Sequence, residues 1–143
     1  MSKTALDIKD LNVEYILKKG SHPAVKDISF QVEQGEIFGL VGESGSGKST
    51  VVQSLIRTLP PPAVITGGKV IIDKIDVLSL SALEVKKYRW KQISIVMQSA
   101  LNALNPVMTV EGQIKDVLEI HKNITGTKAD EKVEQLLRLV DVS

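Results

Sequence analysis

Residues 42–50 read Gly42-Glu43-Ser44-Gly45-Ser46-Gly47-Lys48-Ser49-Thr50, and no other stretch restricts the fold as tightly. The three glycines let the backbone come close to an anion that a side chain would hold away. Successive N–H groups then converge as an anion nest at the positive end of a helix beginning near Lys48. The Lys48 ammonium can reach β/γ-phosphates, and the Ser49 hydroxyl is placed to ligate Mg²⁺. A loop of this kind works only between a strand and a helix, and both neighbours have the required pattern. Ile37-Phe38-Gly39-Leu40-Val41 is a nearly continuous apolar run, which predicts a strand buried on both faces of a parallel sheet. After the loop, Val51, Val52, Leu55, Ile56 and Leu59 recur at helical spacing until Pro60-Pro61-Pro62 stops the helix. A Gly/Ser loop that matched by accident would lack this context.

The remaining composition narrows the class of protein. A chain of 143 residues, 43% hydrophobic, can bury one ordinary core. A net charge of +1 argues against a dedicated nucleic-acid binder. The chain has no cysteine, so disulfides and thiolate metal sites are excluded, and a reducing compartment fits. No apolar run is long enough to cross a bilayer, and the N-terminus has no signal-peptide core. The expectation is a cytoplasmic protein that reaches a membrane only through a partner.

Periodicity predicts an α/β layout. Residues 5–15 and 25–33 show partial polar/apolar alternation, as strands with one wet face do. Residues 18–23 between them read as a turn or loop cluster, and Gln34-Gly35-Glu36 as a turn. A strand is expected from Lys69 to Asp73 after a Gly67-Gly68 turn, and another from Ile93 to Met97. Ser81-Ala82-Leu83-Glu84 is a capping-box pattern opening a short helix toward Trp90. Two helices are expected near 110–121 (Val110, Ile114, Val117, Leu118) and 129–140 (Val133, Leu136, Leu137, Val140).

With these residues in order, the chain resembles the N-terminal part of an ABC transporter ATP-binding subunit, in the dipeptide/oligopeptide/nickel importer group. The wording Val41 to Ser49 is typical of that group, and the lead-in Ala24 to Glu36 resembles the strand pair before its loop. Tyr15 stands where the family places an adenine-stacking aromatic. Ser94-Ile95-Val96-Met97-Gln98, with Leu104-Asn105-Pro106-Val107-Met108-Thr109-Val110 beyond it, resembles the Q-loop and its sequel. The resemblance covers essentially the whole chain and implies a P-loop NTPase-type core with an N-terminal antiparallel β part. Residues 1–35 would be β-subdomain strands, 36–98 the core from P-loop to Q-loop, and 99–143 the start of a helical subdomain.

The resemblance also implies roles. ATP and Mg²⁺ are the expected ligands, held by Tyr15, the loop residues 42–50 and Gln98, with Ser49 and Gln98 nearest the metal. The Gln98 amide would offer its oxygen to Mg²⁺ or to attacking water. Ser99 departs from the acidic residue that family members often carry after this glutamine. Residues 99–110 would face the coupling helix of a membrane subunit. The implied partners are a second ATP-binding subunit, forming a homo- or heterodimer, transmembrane permease subunits and, indirectly, an extracellular solute-binding protein. The implied location is the inner face of the cell membrane; no nucleic-acid partner is expected.

Other features read as structural. Lys86-Lys87-Tyr88-Arg89-Trp90-Lys91 is read as a solvated helix face with anchored rings. With two histidines, His22 and His121, a histidine-rich metal site is not expected. Asp73 and Asp141 end apolar runs, but Lys74 and Val142 follow them where a water-orienting glutamate is needed. The 143 residues contain no Leu-Ser-Gly-Gly-Gln signature, no strand ending Asp-Glu and no switch histidine. The expectation is therefore the leading portion of a longer domain, binding ATP without efficient hydrolysis on its own. A P-loop kinase or GTPase shares the loop, but no Asn-Lys-x-Asp or Asp-x-x-Gly motif is found. An ABC-type ATPase of DNA repair is disfavoured by the near-neutral charge.

Overall fold

The computed structural model describes residues 3–89, 91–96 and 103–142. The chain divides into two compact units, residues 1–89 and 90–143.

The first unit is built on a four-stranded antiparallel sheet of order β2-β1-β3-β4. β1 (Thr4–Leu17) and β2 (Gly20–Glu33) form a long hairpin, β3 (Ala63–Ile72) pairs with the other side of β1, and β4 (Ile75–Asp76) adds a short edge. The loop expected at 18–23 is only the turn Lys18-Lys19, and Pro23 lies inside β2, paired with Glu14. The proline is tolerated because β2 is an edge strand, where a missing N–H costs no ladder bond.

The partial alternation of β1 has a physical cause. Ile8, Leu11 and Val13 are all buried, although strict alternation would turn Leu11 away from Ile8. A register shift between Ile8 and Leu11, with Asp10 at φ 47°, re-aims the strand. Polar groups hold this bulge. The Asp10 N–H donates to Ser29 Oγ (2.8 Å), and Asn12 Nδ2 donates to the Asp10 carbonyl (2.8 Å) and to Asp27 Oδ1 (3.0 Å). Gly67-Gly68 is not a turn but a second irregularity, inside β3 opposite this bulge. At φ 94°, a Cβ on Gly68 would lie 2.4 Å from the Asp10 carbonyl oxygen, so glycine is required there.

Helix α1 (Lys48–Leu55) packs Val51 into the core, with Ile56 buried just past its end. It ends before the prolines, at a turn in which Arg57 has φ 53°. Ser54, a polar residue between the apolar positions, is completely buried, and its hydroxyl donates to the Thr50 carbonyl (2.7 Å). A 3₁₀ turn (Val77–Ser79) leads to α2 (Ala82–Tyr88), whose capping box is formed as the sequence predicts. Ser81 Oγ accepts from the Glu84 N–H, and the Glu84 carboxylate accepts from the Ser81 N–H (2.7 Å). Tyr88 is buried and donates to the Ile72 carbonyl (3.2 Å); burial, with Asp73 adding to it, pushes its phenol above the ordinary range.

The expected strand 37–41 is not formed. No ladder is present there, and Ile37 and Val41 are 100% and 90% exposed. A parallel strand exists only through hydrogen bonds to neighbours. The other expected strand, from Ile93, shows an isolated bridge at Ile93 and no ladder through Val96; Met97 lies outside the described residues. Phe38 does find a partner, stacking on Phe30 of β2 with centroids 4.8 Å apart and rings 4° from parallel.

The second unit holds α3 (Val110–Lys122) and α4 (Thr127–Arg138) around Leu118, Ala129 and Val133, with Ile114, Ile124 and Leu137 against them. Thr109 caps α3 by accepting from the Gly112 N–H (3.0 Å), and Asn123 closes it in the left-handed conformation. Lys115 bridges Asp130 of α4 and Glu111 of its own helix, and both carboxylates raise its pKa. Val140, expected on the core face, lies beyond the end of α4 and is exposed.

Candidate functional site

The glycine loop leads into α1 with Gly47 as the N-cap at φ 92°. A Cβ at Gly47 would stand 2.5 Å from the Ala24 carbonyl oxygen of β2, so the loop presses directly on the hairpin backbone. No side chain caps α1, and its first turn contains no acidic residue. The first-turn N–H groups have no intrahelical acceptor, which leaves the positive end of the helix free to meet an anion.

Lys48 turns back over the loop. Its ammonium donates to the carbonyls of Gly42 (2.8 Å) and Glu43 (2.5 Å) and to Ser46 Oγ (3.3 Å). An ammonium has three donors, and these acceptors use them all. The lysine therefore holds the loop in a curved shape with its charge at the loop's centre. The Ser46 N–H donates to the Glu43 carbonyl (3.2 Å), tightening the same curve.

Tyr15, near the end of β1, faces this loop across a cleft of about 200 Å³ lined by Tyr15, Ala24, Gly45, Gly47, Lys48, Ser49 and Thr50. The hairpin creates the juxtaposition: Tyr15 pairs with His22, close to Ala24, and Ala24 touches Gly47. Glu43 and Ser44 are exposed, Ser49 is exposed at the helix start, and Thr50 is buried. Gln98 lies outside the described residues. Asp73 is in the β3–β4 turn, paired with Lys3 (3.0 Å), and is not part of the cleft. Among the described residues no group of three or more His, Cys, Asp or Glu could hold a metal. Ser49, exposed at the helix start, brings a hydroxyl to the cleft, a hard oxygen donor of the kind Mg²⁺ takes.

Two contributors were not foreseen from the sequence. Ala24 shapes the cleft with a backbone carbonyl, which no side-chain pattern announces. Arg89, read as part of a solvated face, is half-buried and donates to the carbonyls of Ile56 (2.8 Å) and Arg57 (2.6 Å).

In the second unit, the Leu-Asn-Pro stretch is held by Gln113. Its amide donates to the Asn105 (3.1 Å) and Met108 (3.2 Å) carbonyls and accepts from the Asn105 N–H (2.8 Å). Leu104, Val107 and Met108 are exposed on the loop so formed.

The site thus consists of an antiparallel β part joined to a glycine loop and helix, with an aromatic ring across the cleft. The chain belongs to the ABC transporter family, whose pattern matches residues 25–143. It is 36% identical over 134 residues to the dipeptide transport ATP-binding protein DppD of Caldanaerobacter subterraneus, covering 93% of this chain and 41% of that protein. It is 38% identical to the oligopeptide transport ATP-binding protein OppD of Escherichia coli (94% and 40%). It is 37% identical to the peptidoglycan transport ATP-binding protein YejF of Agrobacterium fabrum (96% and 25%). The chain thus spans well under half the length of these curated relatives. Among solved structures, the dimeric post-hydrolysis ATP-binding cassette MJ0796 bound to ADP and Pi superposes with a TM-score of 0.75. The identity is 20%, over 96% of this chain and 58% of that one, which establishes the fold.

Proposed function

We propose that the chain is the phosphate-gripping part of an ATP-binding subunit that energises uptake of peptides, or a related small solute, through a membrane permease. The observation that carries the reading is the cleft itself, with an aromatic ring on one wall and Lys48, Ser49 and an uncapped helix start on the other. Loop N–H groups hold phosphates, Lys48 exchanges loop acceptors for phosphate oxygens when nucleotide binds, Ser49 offers an oxygen to Mg²⁺, and Tyr15 stacks on the base. Gln98 serves the metal or attacking water. The peptide-importer assignment rests on relatives whose names specify dipeptide and oligopeptide transport.

The partners follow from the same reading: a second ATP-binding subunit, permease subunits at the inner face of the membrane and, through them, a solute-binding protein. The exposed Leu104, Val107 and Met108 on the Gln113-braced loop suit contact with a permease segment. Within these 143 residues no signature or Asp-Glu strand is present, so the chain on its own is proposed to bind ATP with little turnover.

The test is a titration with ATP and Mg²⁺, followed by fluorescence or calorimetry, with phosphate release measured in parallel. Lys48→Ala should abolish binding; unchanged affinity would remove the loop from the site. Tyr15→Ala should weaken ATP by about five- to 150-fold, the range of a lost base–aromatic stack of about 1–3 kcal/mol, and leave inorganic triphosphate unaffected. Equal losses for both ligands would contradict base stacking. Robust phosphate release by the contaminant-free chain would contradict the low-turnover proposal.

A further inference from the structure

The helix that presents the phosphate-facing N–H groups is short, and its far end is secured by chain from elsewhere in the fold. α1 spans eight residues, about 12 Å, and has no basic residue in its last turn. The carbonyl end of a helix favours a cation, and a helix this short has little stability of its own. Arg89 supplies the cation from the end of α2. Its Nε donates to the Ile56 carbonyl (2.8 Å) and its Nη2 to the Arg57 carbonyl (2.6 Å). Arg57 continues the chain of contacts, its guanidinium donating to the carbonyls of Val77 (3.4 Å) and Leu80. Both arginines are half-buried, and all four contacts are to backbone carbonyls. The carbonyl end of α1 is thereby tied both to the 3₁₀ turn and to the last residue before the segment that leads to Gln98.

We propose that Arg89 is a positioning residue for nucleotide binding: it fixes the carbonyl end of α1 and, through that rigid rod, the N–H groups at its phosphate end. The inference rests on the nucleotide reading above. A guanidinium fork reaches two diverging carbonyls at once, which a solvated surface arginine has no reason to do. When the fork is removed, α1 keeps its core contacts through Val51 but loses the anchor that sets its axis. Misplacement of binding groups by a fraction of an ångström is enough to weaken a ligand that relies on their convergence.

The test compares Arg89→Ala, Arg89→Gln and Arg89→Lys in the whole 143-residue chain. ATP affinity is measured at a temperature where circular dichroism shows each variant fully folded. The expected result is a Kd raised about tenfold by Arg89→Ala, within the range by which distant positions couple to a site. Arg89→Gln, which is shorter and neutral, and Arg89→Lys, which keeps the cation but not the two-point fork, should each recover part of the affinity, the Lys variant more than the Gln. Amide hydrogen exchange at Val51, whose N–H donates to the Gly47 carbonyl (2.9 Å), and at Val52 should accelerate in Arg89→Ala and Arg89→Gln, while exchange in β1 stays unchanged. If Arg89→Ala does not fold, the Gln variant carries the comparison. A folded Ala or Gln variant with wild-type affinity overturns the proposal. If the wild-type chain binds no ATP, the nucleotide reading fails first; unchanged exchange at Val51 and Val52 would then overturn the clamp independently.

Discussion

Gly47→Ala separates steric fit from backbone strain at the loop. The new Cβ would lie 2.5 Å from the Ala24 carbonyl oxygen, about 0.8 Å inside an ordinary carbon–oxygen approach of about 3.3 Å. Ala24 lies in β2 at the register shift between the pairs Val13↔Val25 and Glu14↔Pro23, so its carbonyl can move only by disturbing the pairs on either side. Overpacking of this kind costs about 1–3 kcal/mol, and the left-handed conformation adds about 1–2 kcal/mol for any residue with a Cβ. Gly45→Ala is the matched control: its φ is 82°, yet a Cβ there meets nothing within 4 Å. Both substitutions lower the entropy of the unfolded chain equally, so that contribution cancels. Equilibrium urea unfolding should place Gly47→Ala below Gly45→Ala by about 1–3 kcal/mol, or about 3–9 °C in Tm. Nucleotide affinity should fall further in the Gly47 variant, because the clash pushes the loop away from the hairpin that carries Tyr15. Equal stability of the two variants would show that the loop does not press on β2, and the cleft described above would be wrong.

Two further outcomes are expected elsewhere in the first unit. Gly68→Ala places a Cβ 2.4–2.6 Å from the backbone of Lys9, Asp10 and Leu11, so a loss of at least about 3 kcal/mol should appear in urea melts. A cost within experimental error would mean that the β1 bulge is not packed as described. The capping box predicts a pH effect. The Ser81 hydroxyl, and then its N–H, hold the Glu84 carboxyl below the ordinary glutamate range. A lowered folded value means that this stabilisation is present above the unfolded value of about 4.3 and is lost as pH falls through the folded one. The stability gap between wild type and Glu84→Gln, measured by denaturation from neutral to acidic pH, should therefore narrow in acid. A gap independent of pH would refute the charged cap.

Features that depend on neighbours in sequence were legible in advance. Ser81 and Glu84 form their box because both partners lie within one helical turn, and Gln34-Gly35 turns where expected. Apolar spacing placed helices near 110–121 and 129–140, and they form at Val110–Lys122 and Thr127–Arg138 with Leu118 and Val133 buried, while Val110 at the start of the first and Val140 beyond the end of the second are exposed. Features that depend on distant partners were misread. Residues 37–41 have the composition of a buried strand, yet hydrogen-bonded pairing is a property of two segments and not of one. Gly67-Gly68 resembles a turn by composition, but glycine also serves where two backbones meet closely, and here the other backbone is Asp10 and Leu11. Arg89 looks like any surface cation until α1 is seen to lack one of its own.

The sequence by itself determined the glycine loop at 42–50 and the residue types it presents, because glycine, lysine and serine at that spacing carry their chemistry locally. It also carried the family resemblance. Only the tertiary structure decided what the loop faces and what holds it. The β1–β2 hairpin brings Tyr15 and Ala24 against Gly47 and Lys48, and Arg89 reaches the far end of α1 from a separate helix. These juxtapositions depend on strand register, on the bulge at Asp10 and on carbonyls whose positions no side-chain pattern records. Loop chemistry is local, whereas the cleft is made by contacts between segments far apart in the chain.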